Sequence, residues 1–131
     1  DMENYTCPKC NGHLKINGKI IFSTKTIDNK RGLILMDPQM GVYDYLHHPN
    51  FEFIKGELVD FFCPICHANL MFKEKHENLA MVLAEYTPDN FVEVIFSRKA
   101  GEHCTFLIKG NQIESYGKDS GLYFDTLSFL K

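Results

Sequence analysis

The 131-residue sequence contains no tryptophan, no long apolar run and no excess of positive charge. No stretch approaches the roughly eighteen consecutive apolar residues that a membrane helix needs, so we expect no membrane span. The formal net charge of −3 argues against a general binder of polyanions. Glycine-rich patterns such as Gly-x-Gly-x-x-Gly are also missing, so we predict no nucleotide site. These absences favour a soluble protein, and we expect it in the cytoplasm.

One short motif occurs twice, at Cys7-Pro8-Lys9-Cys10 and at Cys63-Pro64-Ile65-Cys66. Each copy is followed, four residues after its second cysteine, by a leucine. Two Cys-x-x-Cys turns, or knuckles, supply four thiolates, which is the ligand set of a closed tetrahedral zinc site. We therefore predict that one structural zinc ion is bound by four residues: Cys7, Cys10, Cys63 and Cys66.

This arrangement, Cys-Pro-x-Cys twice with each copy at the end of a predicted strand, resembles the zinc-ribbon group of proteins. The resemblance covers about eight residues of each knuckle and the adjoining strands. A simple ribbon separates its two cysteine pairs by roughly fifteen to twenty residues. Here fifty-two residues separate Cys10 from Cys63. We therefore expect a zinc-ribbon-like clasp with an enlarged insertion, which carries its own hairpins, between the knuckles.

Other chemistry of Cys-x-x-Cys pairs has to be weighed against zinc. Iron in a rubredoxin-like centre takes the same four thiolates, and it is the alternative metal that we retain. The run Cys63 to His67 matches the C-x-x-C-H signature of covalent haem attachment, but that use leaves Cys7 and Cys10 unexplained. Thioredoxin-like redox chemistry needs the motif at a helix start after a βαβ pattern, and neither pair has that setting.

Cys104 is the fifth cysteine, and an odd number with two Cys-x-x-Cys pairs fits a reducing compartment better than a disulfide framework. His103 precedes it and suggests a cysteine nucleophile. Neighbouring residues on a strand face opposite sides, however, so these two side chains should point apart. We expect Cys104 to be buried or at the edge of a hairpin.

Short runs of apolar and β-branched residues between turns predict a mostly β fold, an antiparallel meander of hairpins. The clearest turn is Asn17-Gly18, the dipeptide that best tolerates the two positive φ angles of a type I′ turn. Residues 33–36 suggest a buried strand, and 51–54 and 58–62 suggest strands leading to the second knuckle. Residues 79–86 fit a central strand or a short helix. Residues 91–96 fit a strand that would pair with another copy if its edge is left uncovered.

At the C-terminus, Leu122, Tyr123, Leu127 and Leu130 recur at roughly helical spacing and predict a short closing helix. We expect residues 1–78 to form a zinc-ribbon-like region with its long insertion. Residues 79–131 should form a β-rich part packed on it, and the length fits one domain.

The leading functional hypothesis is a zinc-binding protein whose zinc is structural and whose surface is a protein-interaction or adaptor module. One alternative is a nucleic-acid-associated ribbon, because residues 1–36 hold six lysine or arginine residues against three acidic ones. That hypothesis assigns stacking to Phe22 and phosphate contacts to a basic set: Lys15, Lys19, Lys25, Lys30 and Arg31.

The other alternative is a small enzyme, since histidine titrates near neutral pH and can act in acid-base chemistry. Its pocket would be lined by His47, His48 and turn residues of the C-terminal part. The sequence names no catalytic residue, substrate or partner, and it leaves the oligomeric state open.

Overall fold

The computed structural model describes residues 2–128, and most of its regular structure is β-strand. Among these residues, no helix is long and apolar enough to cross a membrane. A turn of 3-10 helix at Ser120–Leu122 precedes the short α-helix α1, Phe124–Ser128. The strands are β1 Tyr5–Thr6, β2 Lys15–Ile16, β3 Lys19–Lys25, β4 Arg31–Met36, β5 Tyr45–His47, β6 Asp60–Phe62, β7 Leu79–Thr87, β8 Asn90–Ser97, β9 Thr105–Lys109 and β10 Gln112–Tyr116.

The strands form two antiparallel sheets. Sheet A has the order β1-β7-β8-β9-β10, and sheet B has the order β2-β3-β4-β5, with β6 also paired to β3. From β2 to β5 and from β7 to β10, consecutive strands are neighbours, so the predicted antiparallel meander is confirmed. The exceptions are β1 and β6, the two strands that lead into the knuckles.

The main core lies between the inner faces of the two sheets. Strand β3 alternates strictly, with Ile20, Phe22 and Thr24 buried and the residues between them partly exposed. The ring of Phe22 lies 5.5 Å from that of Phe61 in sheet B and 5.4 Å from that of Phe96 in sheet A, measured between centroids. Full burial of a phenylalanine side chain contributes roughly 2 kcal/mol to the stability of the fold. This burial also rules out Phe22 as a stacking platform for nucleic acid.

Arg98 is a buried charged residue that ties the two sheets together. Its Nε donates to the carbonyl oxygen of Val59 at 3.1 Å, and its guanidinium also donates to the carbonyl oxygen of Glu77. The same group forms an ion pair with Asp60 at 2.8 Å. A buried guanidinium is tolerated only when its N–H groups are paired in this way. Arg98 therefore links β8 of sheet A to β6 of sheet B.

A second, smaller core covers the outer face of sheet A. Tyr123 and Leu127 from the C-terminal segment pack on Ile95 and Phe106, and all four residues are buried. The predicted C-terminal helix is thus confirmed as α1, and Leu127 anchors it. Leu130, which the prediction also used, lies outside the described residues.

Each knuckle and the strands on either side of it form one repeat, and the two repeats share one pattern of backbone hydrogen bonds. In both, the backbone N–H of the leucine after the knuckle donates to a carbonyl in the strand that precedes the knuckle. The carbonyl of the same leucine accepts from an N–H in the next long strand. The bonds are Leu14 to Tyr5 at 2.7 Å and Ile21 to Leu14 at 2.9 Å, then Leu70 to Phe61 at 2.8 Å and Met81 to Leu70 at 3.0 Å.

Strand pairing shows that the two repeats exchange their leading strands. Tyr5 in β1 lies opposite Ala84 in β7, and Phe61 in β6 lies opposite Thr24 in β3. The strand before each knuckle therefore pairs with the long strand after the other knuckle. The two repeats are related by an approximate two-fold symmetry, which the sequence analysis did not anticipate beyond the knuckles themselves.

Several predicted strands need correction. Residues 51–54 form no strand, because Phe51 instead turns inward over Gly32, where a Cβ would lie within 2.6 Å of its ring. Residues 33–36 are a strand as predicted, but Leu33 is 55% exposed and only Ile34 is buried in this run. Within residues 2–128, no other layer covers the outward-facing residues of β4.

The C-terminal strands settle two other expectations. Residues 79–86 belong to strand β7 and not to a helix. Residues 91–96 belong to β8, which lies between β7 and β9, so its edges are already paired and another copy cannot bind there. The predicted Asn17-Gly18 turn is confirmed, with φ of 50° and 75°.

Candidate metal centre

The two knuckles bring four cysteine sulfurs together. The Sγ atoms of Cys7, Cys10, Cys63 and Cys66 all lie within 4.8 Å of one another. Two pairs that join the knuckles, Cys7 with Cys66 and Cys10 with Cys63, have Sγ atoms 3.8 Å apart. A zinc ion with four Zn–S bonds of about 2.3 Å places its sulfurs about 3.8 Å apart in a tetrahedron. The donor set and its spacing therefore fit a tetrathiolate metal site.

Each knuckle is a tight turn closed by its own backbone. Asn11 donates its N–H to the carbonyl of Cys7 at 2.9 Å, and His67 makes the same bond to Cys63 at 2.9 Å. Both donors have positive φ, 61° for Asn11 and 67° for His67, which reverses the chain after the second cysteine. Asparagine and histidine are among the non-glycine residues that adopt this conformation most readily.

Backbone N–H groups point at the sulfurs. Lys9 donates to Sγ of Cys7 at 3.3 Å, and the equivalent Ile65 donates to Sγ of Cys63 at 3.3 Å. Gly12 donates to Sγ of Cys10, also at 3.3 Å. A Cβ at Gly12 would lie 2.5 Å from Cδ1 of Ile65, so a larger residue here would displace the end of the Ile65 side chain. These N–H groups stabilise the negative charge that thiolates bring to a metal.

The four thiols are not equivalent electrostatically. Burial raises the pKa of Cys7 to about 12, so in the absence of a cation this residue stays a neutral thiol. The backbone N–H of Ala68 lowers the pKa of the exposed Cys66. A divalent cation among the sulfurs would stabilise all four thiolates against the cost of burial.

The cluster lies where the chain crosses between sheets. The chain enters the first knuckle from β1 in sheet A and leaves it toward β2 in sheet B. It enters the second knuckle from β6 in sheet B, and Met71 then pairs with Ala80 in sheet A. A metal held by both knuckles would therefore join the two crossovers on the axis of approximate symmetry.

Three of the five basic residues proposed for nucleic acid have local partners. Lys25 pairs with Asp60 at 3.9 Å and Lys30 with Asp28 at 3.7 Å. The guanidinium of Arg31 lies 5.7 Å from the ring centroid of Phe62. Two of the three cations thus face a carboxylate, which reduces the field available to phosphates.

A cavity of about 210 Å³ lies between the inner faces of the two sheets. Its wall is mostly apolar and includes Met36, Met40 and Phe53. His103 also lines it, stacked on Tyr43 with ring centroids 4.5 Å apart. The cavity is larger than the roughly 150 Å³ at which a dry apolar cavity accepts benzene.

The two histidines predicted to line an enzyme pocket, His47 and His48, are not part of this cavity. His47 lies on the edge strand β5, and both it and His48 are exposed. Nδ1 of His47 is 2.9 Å from the carbonyl oxygen of His48, and Nδ1 of His48 accepts from the backbone N–H of Asn50 at 3.0 Å. The structure therefore separates these histidines from the pocket that the enzyme hypothesis requires.

Cys104 is buried in the smaller core, as expected. Burial raises the pKa of its thiol to about 12. A thiol that remains protonated at neutral pH is a poor nucleophile. Cys104 is therefore a core residue.

Known proteins offer no family assignment for this chain. Comparisons with protein-family models, curated proteins and solved structures returned no match. The function of the chain is therefore inferred from the geometry of its cysteine cluster and surfaces.

Proposed function

We propose that the protein binds one structural zinc ion through its four knuckle cysteines and acts as a protein-interaction module. The observation that carries the proposal is the sulfur cluster, whose 3.8 Å spacing fits a tetrahedral tetrathiolate. Four sulfurs fill the coordination shell and leave no open position for a substrate. The metal would therefore hold the fold together and take no direct part in chemistry.

Zinc is favoured over iron by the role that the site would have. Zn²⁺ has no redox chemistry and no geometric preference from d-electrons, so it suits a purely structural clasp of four thiolates. Iron would take the same four ligands but would add a redox couple, which a purely structural clasp does not use. Free thiolates also require a reducing environment, so we place the protein in the cytoplasm.

An interaction role is supported by the surface of sheet B. Ile16, Leu33 and Leu46 are each more than half exposed. Strand pairing puts them on the outward face of the sheet. Contiguous exposed apolar surface is uncommon on a monomeric protein and marks sites of association.

Metal analysis of the purified protein tests the zinc assignment. Protein prepared under reducing conditions should contain one zinc per chain and be colourless, whereas an iron tetrathiolate would be coloured. A Cys10→Ser variant should lose most of the zinc, and the matched control Cys104→Ser should retain it. A metal-free wild-type protein, or zinc that is unchanged in Cys10→Ser, would overturn the assignment.

A further inference from the structure

One row of apolar side chains crosses the outward face of sheet B. Ile21 in β3 lies opposite Leu35 in β4, which lies opposite Leu46 in β5. Leu33 flanks this row, and Ile16 lies at its other side. Leu46 is 58% exposed, Leu33 is 55% exposed and Ile16 is 56% exposed. We call this surface the outer face of sheet B.

Sheet A carries a matching row. Met81 in β7 lies opposite Ile95 in β8, which lies opposite Phe106 in β9. Here the row is covered, since Ile95 and Phe106 are both 0% exposed beneath the C-terminal segment. Leu127 of α1 is part of the same cluster.

The two rows are equivalent under the approximate two-fold symmetry. Ile21 and Met81 each donate to the carbonyl of the leucine that follows a knuckle, so they occupy the same place in their repeats. Leu35 then corresponds to Ile95, and Leu46 to Phe106. The same sheet surface thus occurs twice, covered by a short helical segment in sheet A and exposed in sheet B within residues 2–128.

The charges around the exposed row indicate the kind of partner. Three basic residues project from this face of β3 and β4: Lys19, Lys25 and Arg31. The neighbouring carboxylate of Asp60 is already paired with Arg98 and Lys25. A partner with carboxylates around an apolar stripe complements this arrangement. A second copy of the same face would instead bring like charges together, which is unfavourable.

We propose that the outer face of sheet B binds a short amphipathic helix of a partner protein, with its apolar side on Leu35 and Leu46 and acidic residues toward Lys19 and Arg31. The helix would occupy the place that α1 occupies on sheet A. This inference rests on the proposed function, because it names the surface and partner class of the same interaction module.

The experiment uses short peptides selected from a random displayed library against immobilised, zinc-loaded full-length protein. Enriched sequences should repeat apolar residues at helical spacing and contain more Asp and Glu than the starting library. Amide chemical shifts of labelled protein should change in β3, β4 and β5 when such a peptide is added. Leu46→Lys should weaken binding by roughly tenfold to a hundredfold, the loss expected when a buried leucine contact is removed.

Ile27→Lys is the matched control, because Ile27 is 72% exposed but lies in the turn before β4, off the outer face. It should bind the peptide as the wild type does. The proposal is overturned if selected peptides lack acidic residues, if the shifts map elsewhere, or if Leu46→Lys binds equally. It is also overturned if sedimentation shows a dimer that Leu46→Lys dissociates.

Zinc content separates this inference from the proposal on which it rests. A chain that contains no zinc contradicts the structural metal site, whatever the peptides do. A chain that holds one zinc and melts cooperatively, yet selects no acidic amphipathic peptide, contradicts only the docking surface.

Discussion

Removing the metal should destabilise the fold by an amount that the topology allows us to estimate. The clasp joins Cys10 to Cys63 across fifty-two residues. In the chain-entropy treatment of cross-links, closing a loop of that length restricts the unfolded state by about 4 kcal/mol at 25 °C. Small domains have a total stability of only about 5–15 kcal/mol, so this is a large share of it.

The loss should be visible as a change in melting temperature. For a domain of this size, about 4 kcal/mol corresponds to a decrease of roughly 12–20 °C. The assay is thermal unfolding followed by circular dichroism, with and without a zinc chelator. The chelator should lower the melting temperature of the wild type by this amount. It should leave Cys63→Ser, which already lacks a complete ligand set, almost unchanged.

Cys104→Ala is the control for the loss of a buried cysteine. Its side chain lies in the smaller core, outside the metal cluster. The variant is expected to melt somewhat lower than the wild type, because a buried sulfur is removed. The decrease caused by the chelator should nevertheless be the same as in the wild type. If the chelator extracts zinc from the wild type and the melting temperature does not move, the metal is not a structural clasp.

Three other measurements test separate parts of the structure. Once the chelator is added, a thiol reagent should react first with the exposed Cys10 and Cys66, whereas Cys7 and Cys104, whose pKa values burial raises to about 12, should react only after denaturation; five thiols reacting together would contradict this. Arg98→Ala should lower the free energy of unfolding in urea by about 2–4 kcal/mol, because it removes two charge-assisted hydrogen bonds to backbone carbonyls and the ion pair with Asp60, whereas exposed Lys99→Ala should cost little. Gly18→Ala should lower the free energy of unfolding by about 1 kcal/mol, because Gly18 has a φ of 75° that alanine adopts only with strain. Gly121→Ala is the control and should be nearly neutral, because a Cβ at either position meets open space but Gly121 has no positive φ.

The sequence best predicted those features that depend on residues close together in the chain. Two Cys-Pro-x-Cys motifs predicted the sulfur cluster, because a knuckle is closed within six residues by bonds such as Cys7 to Gly12 at 3.0 Å. Asn17-Gly18 predicted its hairpin for the same reason. The alternation of β3 is local in the same way, and Ile20 and Thr24 both lie on its buried side.

The predictions failed where burial depends on distant partners. Phe51 and Phe53 alternate like a strand, but the backbone N–H of Phe51 donates to the carbonyl of His48 in a turn, and the rings of Phe51 and Phe53 pack edge to face. Leu33 belongs to an apolar run like that of a buried strand, yet its face of the sheet has no covering layer. Periodicity identifies the apolar residues of a strand but not the layer that will cover them.

The approximate symmetry was hidden by unequal lengths between equivalent positions. Six residues lie between Leu14 and Ile21, but ten lie between Leu70 and Met81, because the second repeat has a longer polar turn. Outside the knuckles the repeats share few residues, and only the hydrogen bonds and strand registers reveal the correspondence. A comparison of the two halves that allowed this insertion would have aligned Leu35 with Ile95.

This correspondence also gives a physical reason for the position of the metal. Each knuckle carries the chain from one sheet to the other, so the crossovers are the points at which the two repeats would separate on unfolding. Tyr5 and Phe61, the residues that open the two crossovers, are buried and pair with the long strand of the opposite repeat. A metal bound by both knuckles restrains both exchanged strands at once, which two independent hairpin turns could not do. Such a metal would leave the outer faces of both sheets free, one for α1 and the other for the partner helix that we propose.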